Sequence, residues 1–60
     1  MRVKVGETYE VEIKRITKRG DGFLRIKGVS IFVKNVDLGW KGKIVIKRLG
    51  PTYAIAEPVS

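Results

Sequence analysis

The chain has 60 residues, with 13 Lys and Arg against 6 Asp and Glu, a formal charge of +7 and a pI near 10.2. It contains no Cys and no His, which excludes disulfides, Cys/His zinc sites, thiol nucleophiles and His-dependent triads. A domain this small buries only about 60% of its unfolded surface, so a compact apolar core must hold it together without staples.

The apolar stock is eight Val and seven Ile against three Leu and two Ala. Branched side chains lose rotamer freedom in a helix and pack well on a pleated sheet, so the chain is expected to be all-β. Residues 1–5 read as a loose N-terminal arm on a single domain covering residues 1–60. Met1-Arg2-Val3-Lys4-Val5 lacks the apolar stretch of a signal peptide. The first strand is expected from about Glu7 to Ile16, with Tyr9, Val11 and Ile13 on one face and Glu10, Glu12 and Lys14 on the other. Ile16 breaks that parity, which predicts a bulge or sharp bend near Arg15.

Gly20-Asp21-Gly22 then reads as a turn, Asp-Gly being a strong hairpin signal. A second strand follows from Phe23 to Lys27, Gly28 reverses the chain, and Ser30 to Lys34 form the third. Asn35 to Gly42 is expected as a loop, Lys43 to Arg48 as the fourth strand with Ile44 and Ile46 inward. Gly50-Pro51-Thr52 makes the next turn and Tyr53 to Glu57 the fifth strand. Five short strands without helices suit a small OB-like or SH3-like barrel, because closure removes exposed edges. No apolar run reaches the length of a membrane span. The expectation is a cytoplasmic protein with no membrane partner.

Side chains alternate across a strand with period two. If Leu24, Ile26, Ile31 and Val33 point inward, Phe23, Arg25 and Lys27 share the outer surface with Phe32 and Lys34. The reverse assignment would bury three cations, at several kcal/mol each if unpaired. Two phenylalanines among cations suit single-stranded nucleic acid, whose bases stack on aromatics while Lys and Arg hold phosphates. Lys18 and Arg19, in the glycine-flanked loop before Phe23, are further phosphate-binding candidates. Trp40 reads either as a stacking platform or as a lid over the barrel end, and Lys41 beside it is a further RNA-binding candidate. Tyr53 reads as surface if Ala54 and Ala56 line a tight core. A charge of +7 by itself fits either a polyanion partner or a solubility charge.

Chemistry has little foothold in this chain. Glu10 and Glu12 read as a surface charge ladder with Lys14, and Asp21 and Asp37 are loop residues without visible partners. No nucleophile-and-base pair stands out. The expectation is a protein that is not an enzyme, with no metal, no cofactor and no small-molecule substrate.

At these residues the chain resembles the TRAM domain, and in particular the small stand-alone TRAM proteins of archaea. The resemblance runs from about Gly6 to Val59. It is carried by Gly6-Glu7-Thr8-Tyr9-Glu10-Val11-Glu12-Ile13, by Gly20-Asp21-Gly22 leading into Leu24-Arg25-Ile26 and Gly28, and by Ile31-Phe32-Val33. Gly39, the Ile44/Ile46 alternation and Tyr53-Ala54-Ile55-Ala56-Glu57 complete it.

This resemblance implies a five-stranded OB-like barrel that binds RNA. In larger proteins such domains deliver tRNA or rRNA to modification enzymes, and stand-alone ones look like archaeal counterparts of cold-shock RNA chaperones. Gly22-Phe23-Leu24-Arg25 and Ile31-Phe32-Val33-Lys34 are similar to the paired RNA-binding motifs of cold-shock proteins, which carries over Phe23, Arg25, Phe32 and Lys34. The chain departs from the family pattern at Leu24, where Ala is usual, at Trp40, where an acidic residue is common, and at Gly42, usually apolar. Two other readings remain beside a monomeric RNA binder. One is a small architectural protein of duplex DNA, with Trp40 as a wedge between base steps. The other is a ribosome-associated protein held by rRNA within a ribonucleoprotein.

Overall fold

A computed structural model describes residues 3–59. It contains five strands, β1 (Thr8–Glu12), β2 (Gly22–Ile26), β3 (Val29–Val33), β4 (Lys41–Leu49) and β5 (Tyr53–Pro58). They form one sheet in the order β1-β4-β5-β3-β2, in which β3 and β5 run parallel and every other pair is antiparallel. The sheet curls into an OB-like half-barrel. After β1 the chain crosses onto β2 through an Ile16–Gly22 bridge, and the Phe23 N–H donates to the Arg15 carbonyl at 3.0 Å. No helix among the described residues is long and apolar enough to cross a membrane.

The elements follow the sequence expectation with shifts that have physical causes. β1 stops at Glu12 because the backbone of Ile13 is engaged elsewhere. Its N–H donates to the Trp40 carbonyl at 2.8 Å, and its carbonyl accepts from Gly39 N–H at 2.7 Å. The bend therefore covers Ile13 to Arg15, and pairing resumes at Ile16. β2 ends one residue early because Lys27 and Gly28 take φ of 53° and 80° between the paired Ile26 and Val29. That is a two-residue type I′ turn, whose twist matches the flanking strands. β4 is longer than expected, since Lys41 and Gly42 pair with Glu12 and Val11.

Ile13, Ile31, Val33, Ile44, Ile46, Ala54 and Ala56 are fully buried, joined by Val3 and Val36. Each Ile or Val so buried contributes roughly 1.5–3 kcal/mol, and no polar or charged side chain is buried among the described residues. Leu24 and Ile26 face inward but are half-buried, because β2 is an edge strand. The expected loose arm is divided. Val3 is 1% exposed and belongs to the core, Lys4 and Val5 are exposed, and residues 1 and 2 lie outside the described residues. Gly22 sits where the wall leaves no room for a side chain, since a Cβ there would meet Val36 Cγ2 at 2.7 Å and Ile13 at 3.1 Å.

Candidate nucleic-acid interface

The outer face of β2, β3 and β5 carries a row of three aromatic rings. Phe23 and Phe32 are cross-strand partners with centroids 5.4 Å apart and planes tilted by 53°. Tyr53 meets Phe32 edge-on at 6.1 Å. Its place in the row depends on the parallel pairing of β3 with β5, which sets Tyr53 opposite Ser30 and Ile55 opposite Phe32. Ala54 and Ala56 fill the interior behind it, so Tyr53 stands on the surface, 40% exposed. Gly50 fixes the pose of the ring: an added Cβ there would overlap the Tyr53 ring, and the Gly50 N–H donates to the Tyr53 carbonyl at 2.8 Å.

Cations surround this row. Arg25 is exposed on the same face of β2, and Lys34 follows β3 with its ammonium 3.2 Å from Asp21 Oδ2. Lys18 and Arg19 occupy the loop closed by two bonds between Thr17 and Asp21 backbones and side chain, Thr17 N–H to Asp21 carbonyl at 2.8 Å and Asp21 N–H to Thr17 Oγ1 at 3.2 Å. A groove of about 440 Å³ separates that loop from Phe32, Lys34, Tyr53 and Ile55. On its far side a second depression joins Lys34, Tyr53 and Ile55 to Arg48.

Sequence parity alone does not find Arg48, which shares the parity of the buried Ile44 and Ile46. The register of β4 against β5 shifts between Ile46 and Arg48, leaving Lys47 as the extra residue of a bulge. A bulge re-aims the side chains that follow it, and Arg48 comes to lie opposite Ile55 on the outer face. Arg15, in the bend after β1, lines a depression with Phe23 and Phe32 and has no sequence signal beyond its charge. Asp21, without a visible partner in the sequence, is partnered by Lys34.

Three other candidates stand off the Phe23–Phe32 face, although Lys27 lines a depression with Tyr53. Lys27 leaves the face because its residue belongs to the turn, and its ammonium sits 5.9 Å from the centroid of the Tyr9 ring. Trp40 packs against the core and over Gly42, where a Cβ would meet its ring at 2.9 Å. The ring covers the core as a lid and leaves no room for a side chain at position 42. Lys41 lies opposite Glu12, as Lys43 lies opposite Glu10, so their charge is balanced across β1 and β4. Near the start of β1, Glu7 Oε1 accepts from the Tyr9 hydroxyl and the Lys4 N–H, both at 2.7 Å. The Tyr9 hydrogen bond, followed by that of the Lys4 amide, holds the Glu7 carboxyl below the usual carboxylate range. The same bond pushes the Tyr9 hydroxyl up.

The TRAM domain profile matches residues 2–59. Over 55 residues the chain is 34% identical to the ribosomal RNA large subunit methyltransferase E of Methanosarcina mazei, and over 57 residues 37% identical to the translation initiation factor 2 subunit beta of Methanothrix thermoacetophila. These matches cover 92% and 95% of this chain but only 20% and 27% of those proteins, so they fall on one domain of each. An uncharacterized protein of Methanocaldococcus jannaschii is 35% identical over 95% of this chain and 74% of its own length. The solution structure of a conserved protein from Methanococcus maripaludis superposes with a TM-score of 0.84 at 36% identity, covering 97% of this chain and 83% of that one.

Proposed function

The chain belongs to the TRAM domain family, and from that membership we propose that it binds single-stranded or loosely structured RNA across the Phe23–Phe32–Tyr53 row. The observation that carries this reading is the spacing of three outward rings at 5.4 and 6.1 Å within a rim of Arg15, Lys18, Arg19, Arg25, Lys34 and Arg48. Stacking on such rings is worth about 1–3 kcal/mol per base and is indifferent to base identity, while the cations track phosphates. A base stacked on a protein ring cannot also stack within an RNA helix, so binding favours melted strands. That is the thermodynamic content of chaperone activity, and it needs no cofactor and no bond-making group.

The names of two relatives, a ribosomal RNA methyltransferase and an initiation factor subunit, support RNA as the polymer. Only one domain of each is shared, so no methyl transfer is assigned to this chain. The duplex-DNA reading needs Trp40 as a wedge, and that ring packs over Gly42 instead. A competition titration of single-stranded RNA against duplex DNA at fixed salt tests the proposal. RNA is expected to win, and tighter duplex binding would overturn it.

A further inference from the structure

We infer that the groove between the Thr17–Asp21 loop and the aromatic row accepts one guanine base, whose edge is read by the carboxylate of Asp21; this rests on the RNA-binding reading above. Asp21 is a carboxylate set among cations and rings, its side chain 16% exposed and lining the groove. Its position is fixed three times. Thr17 Oγ1 accepts from its N–H at 3.2 Å, its carbonyl accepts from Thr17 N–H at 2.8 Å, and Lys34 holds Oδ2 at 3.2 Å. The pair is mostly buried on the Asp21 side, 16% exposed against 45% for Lys34, and the Asp-Gly turn gives Asp21 a local structural role; neither accounts for a carboxylate lining a groove otherwise bounded by cations and rings.

The chemistry of the groove discriminates among bases. A carboxylate offers acceptors only, about four lone-pair sites on two oxygens, and Lys34 occupies one of them. Guanine alone presents two adjacent donors, N1–H and the N2 amino group, on its Watson–Crick edge. Adenine and cytosine present one donor beside a ring acceptor that the carboxylate repels, and uracil presents one donor between two carbonyls. Single-stranded RNA is read in this way, with a base stacked on an aromatic side chain and its Watson–Crick edge hydrogen-bonded. Phe32 and Tyr53 supply the stacking surface of this groove, and Lys18 and Arg19 at its rim meet the adjoining phosphate. The groove volume of about 440 Å³ lies within the range of roughly 300–1,000 Å³ usual for ligand sites.

The test is fluorescence anisotropy with short labelled uridine oligomers carrying one central guanosine, inosine, adenosine or no substitution. The guanosine oligomer is expected to bind about tenfold tighter than the adenosine one, as for a good bidentate contact to a base. Inosine, which lacks the N2 amino group, should fall between them. Asp21→Asn and Asp21→Ala, each with an unchanged circular dichroism spectrum, should erase the difference while the plain uridine oligomer still binds. Equal affinity of the wild type for all four oligomers overturns the guanine site and leaves RNA binding standing. If Asp21→Asn tightens all four alike and the guanosine preference survives, Asp21 is merely a counter-charge for Lys34 and the inference fails. Absence of binding to any oligomer removes the RNA-binding reading itself, and the guanine site with it.

Discussion

Phe23 and Phe32 face each other across β2 and β3 as direct register partners, 5.4 Å between centroids, on the side of the hairpin opposite Leu24 and Ile31. Neither ring belongs to the core, yet neither is fully exposed, since each shields part of the other and Tyr53 closes on Phe32 from β5. On the RNA-binding reading proposed above, this half-buried pair is where bases stack, and the rings hold one another in place before any base arrives.

Replacing both phenylalanines with Ala should therefore separate binding from folding. Each lost stacking contact is worth about 1–3 kcal/mol, so the double variant is expected to bind a single-stranded oligomer at least about tenfold more weakly. Its far-ultraviolet circular dichroism should remain that of the wild type, with a lower melting temperature from the lost ring pair. Loss of the β spectrum would show that the rings support the fold rather than the partner.

Gly50→Ala probes the third ring without touching its chemistry. The added methyl occupies the place of the Tyr53 ring, and Gly50 does not need the left-handed φ that Gly28 and Gly39 adopt. The backbone should tolerate the change while Tyr53 swings out of its edge contact with Phe32. The expected result is weaker RNA binding with the net charge of +7 intact, approaching the affinity of Tyr53→Ala. Matching affinities for Gly50→Ala and wild type would remove Tyr53 from the interface.

The cations should sort into two groups by the salt dependence of binding. Each phosphate contact on a single strand contributes about 0.7 to the slope of log K against log salt. Arg48→Gln, Lys18→Gln and Arg25→Gln should each lower the slope by about that amount. Lys41→Gln and Lys43→Gln should leave it unchanged, because these residues lie opposite Glu12 and Glu10. A uniform effect of all five would mean that net charge, and not the rim of the aromatic row, drives association.

Strand parity made the outward pair Phe23 and Phe32 legible in the sequence, because parity is local and five residues suffice to show it. The same rule misplaced Lys27 by extending one residue beyond the strand into a turn where φ is positive. It hid Arg48, since an extra residue at Lys47 inverts the parity of everything after it and leaves no mark in the composition. Tyr53 stayed ambiguous because its position depends on a parallel β3–β5 pairing between segments about twenty residues apart. Trp40 was undecidable for a different reason. Its resting place is a glycine two positions along its own chain, and a ring over a missing side chain looks the same in sequence as a ring in solvent.

The Glu7–Tyr9 bond predicts how stability varies with pH. The Glu7 carboxyl titrates below its unfolded value because Tyr9 and the Lys4 amide bond its ionised form. Folding is therefore favoured above the unfolded carboxylate range, and the contribution is lost as pH falls through the lowered value. Tyr9 titrates above its unfolded value for the same reason. Its contribution is complete below the ordinary tyrosine range and disappears as pH rises through the raised one. Tyr9→Phe removes the bond while keeping the ring beneath Lys27. The melting temperature of the variant is expected to lie below that of the wild type at neutral pH. The two should converge both in strong acid and above the tyrosine range. A constant gap across the whole pH range would assign the difference to packing of the hydroxyl, and not to its bond with Glu7.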